Sequence, residues 1–466
     1  MSDITPQAAP AAIEAQPGLV VVGLGGSAGS IPAFREFFRH VPADSEMAYV
    51  VVAHLSPEHD SRLADVLQGS TTLRVMQVRE PVKVEPNCVY VIPPNKSLSM
   101  NDGTLVLSEV TGFAERRAPI DIFFRTLADT HDSRAVCVVM SGSGTDGSMG
   151  LRRIKENNGL AIVQEPAEAE FDDMPRSSIA TGMVDFVLPV AEMPRRMIAY
   201  RDQLRAAPLV QGEPADGDEE ALIDIFTYLR VRTGHDFTNY KRPTVLRRLG
   251  RRLAVREIQR LPDYARFLRA HPEEAEALLR ELLISVTNFF RDAAVWERVE
   301  ETVVPKLFAG KSADDHVRVW VAGCATGEEA YTVAMLLADA AMELPSPPEI
   351  QIFATDLDEH AIAKARNGYY TAAETADIPP ERLRRYFAAD HDGFRVRREL
   401  RELFLFAHHN VIKDPPFSHV DFVTCRNLLI YLNRTAQERT MGVLHFALDP
   451  GGYLLLGTAE TVDGAM

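Results

Sequence analysis

The chain is poor in several things that would define other kinds of protein. Its four cysteines (Cys88, Cys137, Cys324 and Cys425) are scattered over 466 residues and form no C-x-x-C pair. That argues against a disulfide framework or a zinc site, and a reducing cytoplasm is the compartment such usage fits. No apolar run is long enough to span a bilayer. No basic residue precedes Arg35, and the N-terminus lacks the apolar core of a signal peptide. Positive charge is in deficit: the net charge of −16 speaks against a general nucleic-acid binder. What is present is an ordinary globular share of hydrophobic residues, 46%. The length suits roughly two to four domains.

Residues 1–17, rich in Ala and Pro, read as a disordered leader. From 18 to 206 short β-branched runs alternate with helical ones. The strand candidates are Leu19–Val22, Tyr49–Ala53, Val89–Ile92, Val136–Met140, Leu160–Val163 and Val184–Leu188, which predicts a doubly wound, mostly parallel α/β sheet. The acidic stretch Gln211–Glu220, with Gly and Pro and no apolar period, marks a boundary, so 207–220 is read as a linker. Residues 221–290 read as a small helical subdomain, with Asp263 a candidate helix cap. The alternation resumes over 291–466. Its strand candidates are Val317–Val321, Ile350–Thr355, Leu403–Ala407, Val420–Thr424 and Tyr453–Leu456.

Within that second α/β region, Arg318-Val-Trp-Val-Ala-Gly-Cys-Ala-Thr-Gly-Glu-Glu329 reads as strand, glycine turn and helix start. Small residues let the turn's backbone approach a ligand. Glu328 and Glu329 occupy the positive end of the helix dipole, where they would repel a phosphate. A ligand that is neutral or cationic near the turn fits better, and S-adenosylmethionine, a sulfonium without phosphate, is one. Asp356, at the tip of the next strand, can accept hydrogen bonds from ribose hydroxyls, or it can serve as a helix cap, as can Asp358.

The first region has its own glycine turn. Gly25-Gly-Ser27-Ala-Gly29 follows the first strand and matches G-x-S-x-G, the turn that exposes a nucleophilic serine. His54 ends the second strand and Asp146 follows the Val136–Met140 strand. Neighbouring parallel strands bring such ends to one sheet edge. The order Ser…His…Asp departs from the Ser…Asp…His order of α/β-hydrolases.

The segments Gly25–Ser30, Val52–Leu55, Ile92–Asn95, Ala118–Phe124, Ser141–Gly147, Gln164–Pro166 and Met174–Ser177 resemble the catalytic domain of the chemoreceptor methylesterase family (CheB) over about residues 18–205. The resemblance implies hydrolysis of glutamate γ-methyl esters, with Ser27 as nucleophile, His54 as base and then acid, and Asp146 orienting His54. Two positions depart from that family: Ala28 where threonine is usual, and Ser143 where methionine is frequent. Residues 1–17, which precede it, do not read as the phosphorylatable receiver domain usual in that family. The segments Ser285–Asp292, Trp320–Glu329, Ala354–Asp358, Cys425–Leu432 and Pro450–Leu454 resemble the chemoreceptor glutamate methyltransferase family (CheR) over about residues 220–460. This resemblance implies a Rossmann-like domain using S-adenosyl-L-methionine, with Thr287, Arg291, Glu328, Asp356, Asn410 and Asn427 at the cofactor and Arg426 and Tyr431 at the acceptor. No metal is implied. Ser285 stands where asparagine is usual. A glutamate acceptor, with a reference pKa of about 4.3, is already an anionic nucleophile at neutral pH, so alignment and desolvation remain as the chemical tasks.

The basic run from Lys241 to Arg269 is a local reversal of charge. It reads either as a solvated helix face or as a docking face for an acidic helical partner; the resemblance favours docking, with the cytoplasmic helices of a chemoreceptor as partner. The protein would then be cytoplasmic and would meet the membrane only through its receptor. Past Gly451–Gly457 the family's final antiparallel strand has no counterpart before Met466. This predicts either a piece of a longer chain with further signalling domains or a sheet that closes differently. Two rival readings remain open: an active methyltransferase joined to a catalytically weak, regulatory esterase-like module, and a small-acid methyltransferase joined to an unrelated serine hydrolase.

Overall fold

The computed structural model describes residues 18–54, 62–109, 118–206, 217–283, 287–372, 374–391 and 393–460. The expected leader, most of the linker and Ser285 lie outside them.

The first half holds β1 (Val20–Gly26), β2 (Met47–Ala53), β3 (Arg74–Gln77), β4 (Val82–Lys83), β5 (Cys88–Val91), β6 (Lys96–Asn101), β7 (Thr104–Glu109), β8 (Ala135–Val139), β9 (Leu160–Gln164) and β10 (Phe186–Leu188). Seven of these form a sheet in the order β10-β9-β8-β1-β2-β5-β3, every pairing parallel. β1, β2, β5, β8 and β9 are buried along their whole length, which is why they read as continuous apolar runs rather than alternating ones. Helix Ser30–Arg39 covers one face through Phe34, Phe37 and Phe38. Helix Pro119–His131 covers the other through Ile120, Phe123, Phe124 and Leu127. β4, β7 and β6 form a separate antiparallel sheet. β3 and this small sheet escaped the sequence reading because they are short and flanked by polar residues.

Residues 218–282 are helical, as expected, in helices Asp218–Thr233, Arg242–Arg256, Leu261–Ala270 and Pro272–Leu282. Asp263 does not cap the third of these. Arg260 holds the cap position and Asp263 lies in the first turn, where its negative charge still suits the helix dipole.

The second half holds β11 (His316–Ala322), β12 (Glu349–Asp356), β13 (Tyr369–Thr371), β14 (Phe387–Asp390), β15 (Gly393–Val396), β16 (Phe404–His408), β17 (Val420–Cys425) and β18 (Leu448–Leu456). The order β16-β12-β11-β17-β18 is a parallel, Rossmann-like sheet. β18 runs parallel to β17 at an edge of this sheet. β13, β15 and β14 form an antiparallel sheet absent from the sequence reading, since strands of three or four residues carry too little periodicity.

The two halves are packed together. Helix Ser148–Glu156 of the first half runs along the second, placing Arg152, Lys155 and Glu156 against it in turn. Arg152 Nη1 donates to Glu374 Oε1 at 2.9 Å. Lys155 Nζ donates to Asp185 Oδ1 at 2.8 Å and to Glu281 Oε2 at 3.2 Å. Arg251 pairs with both of those carboxylates and donates to the Gly159 carbonyl at 2.8 Å. Two cations and two anions are thus balanced in a buried cluster, the arrangement that burial of charge requires. Ala254 and Val255 join the apolar core of the first half.

This corrects the reading of the basic run as one receptor-facing surface. Arg248, Arg251 and Arg252 are buried. Arg248 donates to the carbonyls of Glu281 and Leu282, and Arg252 to Glu274 Oε1 at 2.9 Å. The other cations of the run, among them Lys241, Arg247, Arg260, Arg266 and Arg269, are exposed.

Candidate functional site

Ser27 directly follows β1, His54 directly follows β2, and Asp146 sits in the loop after β8. These three strands are neighbours in one parallel sheet, so the sheet brings all three residues to its C-terminal edge. Gly142 fits closely behind the serine: a Cβ there would lie 2.1 Å from Met174 Sδ and 2.9 Å from Ser27 Cβ. Asp146 is buried. Its carboxylate accepts from the backbone N–H groups of Ile120 (3.0 Å), Asp121 (2.9 Å) and Gly147 (2.9 Å), and its Oδ2 lies 2.8 Å from His54 Nε2. With the acid on Nε2, that nitrogen carries the proton and Nδ1 keeps its lone pair. Ser27 Oγ makes no hydrogen bond among the described residues, and Ala28 and Gly29 donate none through their N–H groups. Behind Asp146 lies a second buried acid, Asp121, which accepts from Gly150 N–H at 2.6 Å. Burial, together with the charge of Asp146, holds the Asp121 carboxyl well above the ordinary carboxylate range.

The second site is built on the turn after β11. Gly323, Ala325 and Gly327 have φ of 75°, 50° and 98°. Gly327 is required by packing, because a Cβ there would lie 2.8 Å from Ala365 Cβ. At Gly323 a Cβ would meet nothing nearer than Leu428 at 3.5 Å, and the residue forms a wall of an open cleft. Ala325 holds a backbone conformation that disfavours a side chain. Hydrogen bonds stabilise it there: its N–H donates to Asp356 Oδ2 at 2.8 Å, and the N–H groups of Gly323 and Cys324 donate to the Thr355 carbonyl at 2.8 and 2.9 Å. Asp358 caps the next helix, accepting from His360 N–H at 2.8 Å and Ala361 N–H at 3.3 Å. The cap therefore falls to Asp358, and Asp356 stands at the strand tip beside the turn.

The cleft has a cavity volume of about 120 Å³ and opens to solvent. Thr287, Arg291, Asp356, Asn410, Arg426, Asn427 and Tyr431 all line it. Glu328 does not. Its carboxylate accepts from Thr326 Oγ1 and faces Arg152 of the first half at 3.8 Å. One residue on, Glu329 turns into the cleft, accepting from Thr424 Oγ1 at 2.7 Å and meeting Arg426 Nη1 at 3.5 Å. Burial pushes both carboxyls up. Successive residues at a helix start point about 100° apart, and a glycine turn does not reveal in the sequence which of two acids faces the ligand.

Two participants had no sequence signal. Glu460 accepts from the N–H groups of Asn427 (3.0 Å), Leu429 (2.8 Å), Ile430 (3.3 Å) and Gly457 (2.7 Å), and so shapes the loop that presents Asn427 at φ 59°. Glu156 reaches the same cleft from the first half. The cleft suits a nucleoside-bearing sulfonium: carboxylates of Asp356 and Glu329 on one side, an arginine for a carboxylate at Arg291, and an open glycine wall between.

Comparison with known proteins agrees with this division. The family model for CheB methylesterase matches residues 22–197, that for the CheR methyltransferase all-alpha domain residues 220–283, and that for the CheR methyltransferase SAM binding domain residues 285–466. A chemotaxis protein methyltransferase of Salmonella typhimurium is 33% identical over 49% of this chain and 79% of its own length. A putative protein-glutamate methylesterase/protein-glutamine glutaminase of Leptospira interrogans is 32% identical over 37% of this chain and 90% of its own length. An uncharacterized 104.1 kDa protein of Rhodobacter capsulatus is 37% identical over 86% of this chain, which spans 44% of that relative's length. Fold and site thus define a methylesterase and a SAM-binding methyltransferase on one polypeptide. The chain belongs to the CheB methylesterase family over its first half and to the CheR methyltransferase family over its second, a CheB/CheR fusion.

Proposed function

We propose that this chain both adds methyl groups to glutamate side chains of a chemoreceptor's cytoplasmic helices and removes them, working in the cytoplasm and meeting the membrane only through that receptor. The observation that carries the reading is that one chain holds a Ser27/His54/Asp146 set at one sheet edge and a cleft with Asp356, Glu329 and Arg291 at another.

In the esterase half, Ser27 Oγ attacks the ester carbonyl while His54 Nδ1 takes its proton. Asp146 holds the ring through Nε2 and stabilises the imidazolium. The N–H groups of Ala28 and Gly29, which donate to nothing among the described residues, would receive the developing oxyanion. His54 returns the proton to the leaving methoxide, releasing methanol. Water, deprotonated by His54, then frees the glutamate and restores Ser27.

In the methyltransferase half, bound S-adenosylmethionine supplies an electrophilic methyl group. Asp356 would hold the ribose, Arg291 and Thr287 the methionine end, and Glu329 rather than Glu328 the ammonium. Asn410 spends its side-chain oxygen on Ile412 N–H at 3.0 Å, which leaves its amide hydrogens for the adenine side. Arg426 and Tyr431 flank the acceptor carboxylate, whose desolvation is the remaining barrier.

The test uses the receptor's cytoplasmic fragment and labelled S-adenosylmethionine. Wild type should form base-labile label and release methanol, and Ser27→Ala should accumulate label without methanol. No label under any condition would sink the reading. A second reading keeps the esterase half as a docking module, favoured by its buried ion cluster with the methyltransferase half. It predicts label but no methanol from wild type, even on a pre-methylated fragment.

A further inference from the structure

Glu156 is the last residue of the helix Ser148–Glu156, which belongs to the esterase half. Its side chain lies in the methyltransferase cleft, beside Arg248, Arg291 and Tyr431. Oε1 accepts from Arg291 Nη2 at 3.3 Å, and Oε2 pairs with Arg153 of its own helix. The Glu156 side chain is only 10% exposed and that of Arg291 20%. Nothing in the esterase mechanism uses Glu156. An enzyme half whose two natural ligands each carry a carboxylate therefore already holds one, delivered by the other half. A glutamate on a helix is also the chemical form of the methyl acceptor.

We infer that Glu156 is a tethered competitor in the methyltransferase cleft: docked through the esterase half, its carboxylate occupies Arg291 and must yield before a ligand carboxylate can bind. The inference rests on the methyltransferase reading of the cleft. The helix that carries Glu156 is fixed by Arg152 and Lys155, four and one residues earlier in the same interface, so the competitor is held at high effective concentration. Arg153 and Arg291 engage both carboxylate oxygens and so lower its nucleophilicity, which makes Glu156 an occupant rather than an acceptor. The displaced carboxylate belongs either to the cofactor's methionine end or to the acceptor glutamate. Both share the chemistry, and the experiment separates them.

Glu156→Gln keeps the side chain's size and removes its charge. Binding of S-adenosylhomocysteine, which carries the carboxylate, and of methylthioadenosine, which does not, is measured by calorimetry on the full chain. If Glu156 holds Arg291 in about nine molecules of ten, freeing it tightens ligand binding roughly tenfold. Tighter S-adenosylhomocysteine with unchanged methylthioadenosine assigns the cofactor carboxylate. Unchanged affinity for both, with a KM for the receptor fragment about tenfold lower, assigns the acceptor. Equal affinities and equal KM in both proteins would overturn the inference while the function stands. Failure of wild type to bind either nucleoside would overturn both. Methanol release from a methylated fragment, unchanged in the variant, certifies that the esterase half remains folded.

Discussion

Arg152 and Glu374 lie 2.9 Å apart across the junction of the two halves, both buried, and Arg152 also faces Glu328 at 3.8 Å. An esterase-domain arginine thus faces the acid that opens the helix Glu328–Met342 after β11. The two enzymes share charges, so neither surface is complete alone.

Removing a cation from this junction strands its acids. Arg251→Ala leaves Asp185 and Glu281, both buried, with Lys155 alone. Loss of one partner from a buried pair costs about 3–5 kcal/mol. Scanning calorimetry should show a lower first transition and separate unfolding of the halves, where wild type unfolds with them coupled. A single transition at the wild-type temperature would show the cluster to be dispensable.

Within the esterase, Asp146 fixes which ring nitrogen of His54 is the base. Asp146→Asn should place an amide N–H against Nε2 and favour the opposite tautomer, lowering methanol release about 10⁴-fold. Label transfer from S-adenosylmethionine should be unchanged, since among the described residues Asp146 bonds only within the first half. A loss under tenfold would mean that Nδ1 is not the working base.

Asp121 makes the first half sensitive to pH. Its folded pKa is raised above the ordinary 3.8 by burial and by Asp146. Between those two values the folded state holds a proton that the unfolded chain has lost. Unfolding free energy therefore falls as pH rises through the window and is greatest below it. Asp121→Asn, still able to accept from Gly150, should flatten that slope and stabilise the protein at neutral and alkaline pH. Urea unfolding at several pH values reads this directly, and parallel slopes in the two proteins would refute it.

The sequence disclosed those features whose physics is local. Ser27, His54 and Asp146 each follow a continuous apolar run, and such runs in a parallel sheet end at one edge, so their convergence was legible. So was the turn at Gly323, with Asp356 at the next strand tip. What stayed hidden depends on long-range partners. Glu460 lies 33 residues from Asn427, whose N–H it holds. Arg251 within the Lys241–Arg269 run looked outward-facing because its acids, Asp185 and Glu281, stand in different elements. Glu156 looked like an ordinary helix-end residue, since nothing local announces a neighbouring cleft.

Glu460 gives a test remote from any ligand. Its two oxygens accept four backbone N–H groups around Asn427 and Gly457. Leaving buried donors unsatisfied costs about 1–3 kcal/mol each. Glu460→Ala should loosen the Asn427 loop and weaken S-adenosylhomocysteine binding at least tenfold, with Glu460→Gln retaining part of it through its remaining oxygen. Equal loss in both variants would point to charge rather than hydrogen bonding as the operative property.

The adjacent acids at the helix start separate cofactor binding from domain docking. Glu329 lines the cleft with Thr424 and Arg426, while Glu328 looks to Thr326 and Arg152. Glu329→Gln removes a negative charge from the cofactor's cationic side and should weaken S-adenosylhomocysteine binding about tenfold, equivalent to roughly 1.4 kcal/mol. Glu328→Gln should leave that affinity near wild type and instead lower the thermal midpoint, because Arg152 then loses one of its two carboxylates. The contrast turns on direction alone: two neighbours in sequence, a helix turn's rotation apart, with the effects exchanged if Glu328 were the one that faced the ligand.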